Sequence, residues 1–267
     1  MERPRSAPRP VVALVFSAPG PAEAAALRAF ARELLDLLLP PRCAGCGASV
    51  GERGPLCAAC DASLPRIDPR ACPGCQDAAA PAPGTCCAAC AAQPSPLDAC
   101  CAAAWFEGAT AGFVRRFKYA RPGLAGLDPA AEAVALLLAR EAAARVPGPP
   151  PDAWVPVPLH PSRLRLRGFA PAAVLARALA APGPAPAVAA LRRVRDTPSQ
   201  TGLDRLGRQR NVAAAFATAR ALPGPTVWLV DDVVTTGSTL SEAARALRRA
   251  GAREVVGVCL AHRPLVR

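Results

Sequence analysis

Eight of the twelve cysteines fall into four Cys-x-x-Cys pairs: Cys43/Cys46, Cys57/Cys60, Cys72/Cys75 and Cys87/Cys90, separated by 10, 11 and 11 residues. A Cys-x-x-Cys turn directs two thiolates at one point, about 2.3 Å from a shared ion, and two such turns complete a tetrahedral zinc site. Four turns therefore predict two Zn²⁺ ions. Each has four protein ligands, which leaves no position for water or substrate and makes the metal structural. A disulfide framework is the competing use of dense cysteine. Regular paired spacing favours metal, and a thioredoxin-like redox motif needs one such pair at a strand–helix junction, not four in series. Spacing leaves two pairings open, sequential and interleaved. Cys86 is an alternative to Cys87 at poorer spacing, Cys100 and Cys101 are left over, and Cys259 in its apolar run reads as a small buried hydrophobe. The cysteine-rich stretch has few large apolar residues, so metal takes the place of the core that it lacks.

The rest of the chain has to be a conventional domain. Of 267 residues, 52% are hydrophobic, enough for a packed core. Residues 1–21 carry basic residues, a short apolar run and prolines, and read as an extension of no fixed structure; a signal peptide is the competing reading. Residues 22–98 hold an amphipathic helix over 22–39, with Leu27, Phe30, Leu34, Leu37 and Leu38 on one face, followed by the zinc region. Residues 99–267 form the larger domain. No run reaches the ~18 apolar residues of a membrane span.

Within that domain, residues 226–251 read TVWLVDDVVTTGSTLSEAARALRRAG. Val227–Val230 suits a buried parallel strand. Asp231 and Asp232 follow at its carboxyl end, then Thr235-Thr236-Gly237-Ser238-Thr239, then a helical pattern closed by Gly251. Ligands of open parallel sheets bind beyond the carboxyl ends of strands. Backbone N–H groups and hydroxyls of such a loop cradle a phosphate, and the helix N-terminus adds positive potential. An acidic pair beside a phosphate nest makes sense if its carboxylates accept from sugar hydroxyls or hold Mg²⁺.

Other segments suit the same sheet. Ala153–Pro158 is a strand ending in prolines, followed by His160, read as a helix cap, and by Arg163, Arg165 and Arg167, where arginine binds oxyanions bidentately. Pro171–Ala181 reads as a helix, Val188–Val194 as a strand, the polar stretch Asp196–Gln200, before Gly202-Leu203 and Arg205–Asn211, as a mobile lid, and Val255–Leu260 as a final strand. The expected sheet is parallel, doubly wound and about five strands wide. Lys118 and Tyr119 are the only lysine and tyrosine of the chain. A lone lysine among 31 arginines suggests a site that prefers an ammonium. Phe113, Phe117, Tyr119 and Phe169 are the aromatic candidates for stacking an acceptor, with core burial expected for most.

The segment Val227–Thr239 resembles the signature of type I phosphoribosyltransferases, departing from it at Trp228, where an aliphatic residue is usual. That resemblance implies that Thr235, Thr236, Gly237, Ser238 and Thr239 hold the 5-phosphate of phosphoribosyl pyrophosphate and that Asp231 and Asp232 contact the ribose hydroxyls. It also places Arg163 and Arg167 among the ligand-binding residues and Mg²⁺ among the cofactors, and the lone Lys118 joins those ligand-binding residues on composition. The order LLDLLLPPRCAGCG, FKYA, VPVP, RGF, SQTGL, RQRN, VDDVVTTGSTL resembles the ComF family over roughly residues 30–262. This implies an α/β protein of the type I phosphoribosyltransferase fold with a small N-terminal double zinc-ribbon domain. It also implies a cytoplasmic location and a link to DNA uptake in natural competence, with single-stranded DNA and competence-machinery proteins as partners. Ala170 and Pro171 stand where the family usually has Asn and Gln.

Three functions fit: transfer of phosphoribosyl to an unassigned acceptor, non-catalytic sensing of phosphoribosyl pyrophosphate, and adaptation of single-stranded nucleic acid. The net charge of +12 is unevenly placed. Residues 1–100 balance nine basic against nine acidic side chains, whereas residues 160–211 hold ten arginines against Asp196 and Asp204. The basic segment is where the expected pyrophosphate loop and lid fall.

Overall fold

The computed structural model describes residues 20, 30, 41–50, 54–76, 80–82, 85–93, 95–119, 128–195 and 214–263. The predicted N-terminal extension, helix 22–39 and lid therefore lie almost wholly outside the described residues. The chain divides into two units, residues 1–41 and 42–267. The elements of the second unit are α1 (Ala58–Ala62), α2 (Ala88–Ala91), β1 (Ala99–Trp105), α3 (Gly108–Tyr119), α4 (Pro129–Ala143), β2 (Ala153–Pro156), α5 (Pro161–Arg167), α6 (Pro171–Ala180), β3 (Leu191–Arg193), β4 (Phe216–Thr218), β5 (Thr226–Val234), α7 (Ser238–Arg249) and β6 (Glu254–His262).

The central sheet has the order β1-β6-β5-β2, and every pairing in it is parallel. Successive residues serve opposite faces. Trp154, Trp228, Val230, Val256, Val258 and Leu260 pack with α3, α4 and α6 on one side. Ala153, Val155, Val227, Leu229, Val255 and Cys259 pack with α7 and the β3–β4 hairpin on the other. This is the doubly wound arrangement expected, with four strands among the described residues where about five were anticipated. The fifth place, beside β2, is held by the single bridge Trp154–Ala187. Pro182, Pro184 and Pro186 lie in that approach and supply no N–H donors to a longer ladder. The chain then turns away as β3, which pairs antiparallel with β4, a strand the sequence reading did not anticipate. Trp228 and Trp154 are direct partners across β5 and β2. Their rings meet edge to face at 5.0 Å, so two indoles fill together the volume that aliphatic residues would otherwise share.

Strand β1 reads ACCAAAW and is buried over six of its seven residues. Small side chains here let the alanine-rich α4 lie close against the sheet. Helix α4 begins at Asp128, whose carboxylate accepts from Ala131 N at 3.0 Å, with Pro129 at the first helical position.

The outer edge of β1 is closed by the zinc region. Ile67 N donates to Ala103 O at 3.0 Å, Trp105 N to Pro65 O at 2.8 Å and Cys100 N to Pro73 O at 2.7 Å. The Gln76 side chain takes both remaining roles: its amide donates to Cys100 O, and its carbonyl accepts from Ala102 N at 3.1 Å. Gln76 is buried and has a φ of 59°, in the left-handed region, so a backbone cost is accepted to aim this amide. Arg66 adds a second tie, bidentate to Glu141 of α4 at 2.9 and 3.0 Å and bonded to Asp61 at 2.7 Å. Replacing Gln76 with Ala leaves a buried donor and acceptor of β1 unpaired. We expect a stability loss of about 1–3 kcal/mol in chemical denaturation. A loss no larger than that of an exposed Gln→Ala control would show that the edge is held by the other contacts.

Candidate functional site

Two tetrads of sulfur stand in the zinc region. Cys43, Cys46, Cys57 and Cys60 form one and Cys72, Cys75, Cys87 and Cys90 the other, with the ligand atoms of each within 4.8 Å of one another. Pairing is thus sequential, and Cys86 belongs to neither tetrad. A tetrahedron with ~2.3 Å Zn–S bonds has sulfurs about 3.8 Å apart. Cys46 Sγ and Cys57 Sγ are 3.7 Å apart, and Cys75 Sγ and Cys87 Sγ 3.9 Å.

The two units repeat each other. The N–H of Cys57 points at Cys43 Sγ at 3.2 Å, and that of Cys87 at Cys72 Sγ at 3.2 Å. These amides stabilise thiolates. The Cys57 and Cys46 N–H groups bring Cys43 down to about 6. Burial raises Cys72, but the amides of Cys87, Cys75 and Gly74 outweigh it and bring that thiol also to about 6. With only protons among the sulfurs, hydrogen bonds with Cys43, Cys46 and Cys57 push Cys60 up to about 12. A divalent cation relieves that competition. The glycines are fitted to the metal turns: a Cβ on Gly45 would lie 2.8 Å from Cys60 Sγ, and one on Gly74 2.9 Å from Cys90 Sγ. The residues fit two structural zinc ions.

The second site lies at the carboxyl ends of the parallel strands. Helix α7, after β5, packs on one face of the sheet, and α6, after β2, on the other. Neighbouring strands whose following helices diverge open a crevice, the place where such sheets bind ligands. A cleft of about 510 Å³ fills it. The β5 side contributes Asp231, Asp232, Thr235, Gly237, Ser238 and Thr239; the β2 side contributes Val157–Leu159, Arg163, Arg167, Pro171 and Ala172. Gly237 caps α7 with a φ of 71°, which a residue with a Cβ adopts at a cost. Thr236 does not line the cleft; its hydroxyl lies 2.5 Å from that of Ser238 and shapes the loop from within.

Lys118 reaches the cleft from the last turn of α3, and its Nζ lies 2.8 Å from Asp232 Oδ1. Asp231 Oδ1 accepts from the Asp232 N–H at 2.9 Å. Burial, and then the neighbouring Asp232 charge, push Asp231 up to about 7, against the opposing pull of Lys118. Around this pair stand Arg115, Arg163, Arg167, Arg193 and Arg263. Arg115, Arg193 and Arg263 were not singled out as site residues in the sequence; position at a strand end was the available signal for Arg193 and Arg263, and Arg115, inside α3, carried none. The Arg167 guanidinium covers the Tyr119 ring at 5.1 Å, and Tyr119 is 67% exposed. Phe113 and Phe117 are core residues, and Phe169 packs edgewise on Phe117 at 6.2 Å. His160 caps α5, as expected. Ala170 caps α6 with no side-chain bond, so the cleft wall there is apolar. Beneath the loop, His262 Nε2 lies 3.3 Å from Thr235 O, and its ring stacks on Trp105 at 5.4 Å.

Zinc analysis of purified protein should return two ions per chain, the number of tetrads. Gly74→Ala should keep about one, because only the second tetrad is crowded; two retained ions would contradict the tight fit. Asp231 gives a pH-dependent prediction. Unfolded, it ionises near 3.8; folded, near 7. The cost of its charge therefore develops as pH rises across that interval and is absent below it. Asp231→Asn should stabilise the protein by about 1–2 kcal/mol at pH 8 and by nothing at pH 3.5. An equal effect at both values would exclude charge as its origin.

Among the described residues, no helix is long and apolar enough to cross a membrane. A double zinc ribbon domain matches residues 34–91, and a phosphoribosyl transferase domain matches residues 165–265. DNA utilization protein YhgH of Salmonella typhi is 33% identical over 222 residues, covering 82% of this chain and 88% of that protein. Its counterpart in Salmonella typhimurium is 34% identical over the same length and shares. Competence protein F of Haemophilus influenzae is 38% identical over 109 residues, 39% of this chain and 48% of that relative, so this match spans about half the relative's length. Two domains in this order, with an alignment over most of both chains, make the protein a member of the ComF family of double-zinc-ribbon, phosphoribosyltransferase-like proteins.

Proposed function

We propose that the cleft binds phosphoribosyl pyrophosphate. One observation carries this reading. A hydroxyl-rich loop and helix N-terminus, an acidic pair and six cationic side chains converge on one crevice at the strand ends. The loop Thr235–Thr239 suits the 5-phosphate. Asp231 and Asp232 suit the ribose hydroxyls as acceptors. Arg163, Arg167 and Lys118 suit the diphosphate, the guanidinium groups pairing with it bidentately. Mg²⁺ enters this reading as the counter-ion that a diphosphate carries.

In the transfer reaction the ribose C1–O bond to diphosphate breaks, and a bond from C1 to an acceptor atom forms. The diphosphate leaves with the bonding electron pair, and its growing charge falls among the cationic side chains. These residues contribute by holding the ribosyl group and by electrostatic stabilisation. The acceptor is unassigned, and a sensor that binds without transfer uses the same cleft. The names of the relatives, competence protein F and DNA utilization protein, support a role in the use of DNA. Exposed Tyr119 beneath Arg167, and Leu166 at 91% exposure on the basic helix α5, favour a second reading: single-stranded DNA stacked at the mouth of the cleft. Competence-machinery proteins are further partners in this reading, and the cytoplasm its location.

Calorimetry with phosphoribosyl pyrophosphate and Mg²⁺ tests the first reading. The double variant Asp231→Ala, Asp232→Ala should lose at least about tenfold in affinity. An unchanged affinity would remove these residues from the site. Pyrophosphate release across bases and amines then separates transfer from sensing.

A further inference from the structure

The acidic pair is a poor fit for a divalent cation of its own. Asp232 already holds an ammonium at 2.8 Å, and that pair is well shielded, with Lys118 20% and Asp232 13% exposed. Asp231 spends one oxygen on the Asp232 N–H. What an incoming ion meets is thus a compensated pair bordered by arginines, including Arg193 and Arg263. Charge repulsion in a shielded cleft is far stronger than in water.

We infer that Lys118 is the resident counter-ion of the acidic pair: it bars a free divalent cation, so metal enters the cleft only on an anionic ligand. The placement of the chain's single lysine follows from this role. A flexible ammonium serves as a point charge that leaves one partner for another, whereas a guanidinium fork locks onto a carboxylate. Helix α3 holds Lys118 at its last turn, next to Tyr119 at the cleft mouth. From there the ammonium reaches Asp232. When ribose hydroxyls take over Asp232, it turns to the diphosphate. This exchange rests on the reading of the cleft as a phosphoribosyl pyrophosphate site; the exclusion of free metal does not.

The probe for exclusion is Mn²⁺ alone, titrated into zinc-loaded protein and followed by electron paramagnetic resonance. Wild type should show no Mn²⁺ site that depends on Asp232. Lys118→Met should bind Mn²⁺ at least about tenfold more tightly than wild type. Lys118→Arg, which keeps the charge, should behave as wild type, and the double variant Lys118→Met, Asp232→Asn should lose the gain. Equal Mn²⁺ binding by wild type and Lys118→Met, or a gain that survives loss of Asp232, overturns the inference. With phosphoribosyl pyrophosphate and Mg²⁺ present, Lys118→Met should bind more weakly than wild type. A variant that gains metal while losing ligand cannot be explained by damaged folding, which weakens both. Failure of wild type to bind phosphoribosyl pyrophosphate would sink the proposed function and the exchange, leaving the metal result to stand alone.

Discussion

An unpaired strand edge is the constraint around which this molecule is arranged. Strand β1 lies at the end of the central sheet, and its outer N–H and C=O groups are too buried to be left to water. Segment 65–76, which runs from beyond the first tetrad into the first turn of the second, supplies partners through Pro65, Ile67, Pro73 and the Gln76 side chain. Zinc ions held by the tetrads would fix the Cys57/Cys60 turn before that segment and the Cys72/Cys75 turn within it, and so set the shape of a piece that the sheet needs. An exposed edge is also a template for aggregation. The ribbons remove it without adding a further strand.

The same strand leads to the cleft. Trp105, its last residue, stacks on His262, whose imidazole lies against the carbonyl of Thr235 in the phosphate loop. Helix α3 follows β1 and carries Lys118 to Asp232, while two residues earlier Arg116 bonds Ala44 O inside the first metal turn at 3.2 Å. Ribbon and cleft are therefore joined by short routes of packed and hydrogen-bonded groups.

Legibility in the sequence followed the range of the interaction. Ligand pairs three residues apart could be read because their geometry is local. Their sequential assembly could not, since it depends on how two turns meet. The order of strand, acidic pair, hydroxyl loop and helix was readable for the same reason. Strand β1 was missed because ACCAAAW lacks the β-branched and aromatic residues that mark strands; it is a strand because small side chains let α4 approach. Helix α4 itself passed unread. The hairpin of β3 and β4 depends on a pairing across more than twenty residues. Trp228 looks like a departure until Trp154 is seen beside it. Lys118 stood out by composition alone, and only the fold shows that its partner is Asp232.

The two metal units share one turn geometry and differ in the residue that closes it. Four residues after the first cysteine of each, the N–H closes the same turn onto the cysteine carbonyl: Gly47 onto Cys43 O at 2.9 Å, Gln76 onto Cys72 O at 2.7 Å. Both occupy the left-handed region, at φ values of 76° and 59°. Glycine sits there at ease and reaches for nothing; glutamine sits there under strain and grips the sheet. One copy has thus become an anchor, built into the larger domain as firmly as a strand. The other is tied through Arg66 and Arg116, and residues 45–49 of its first turn stay exposed to solvent.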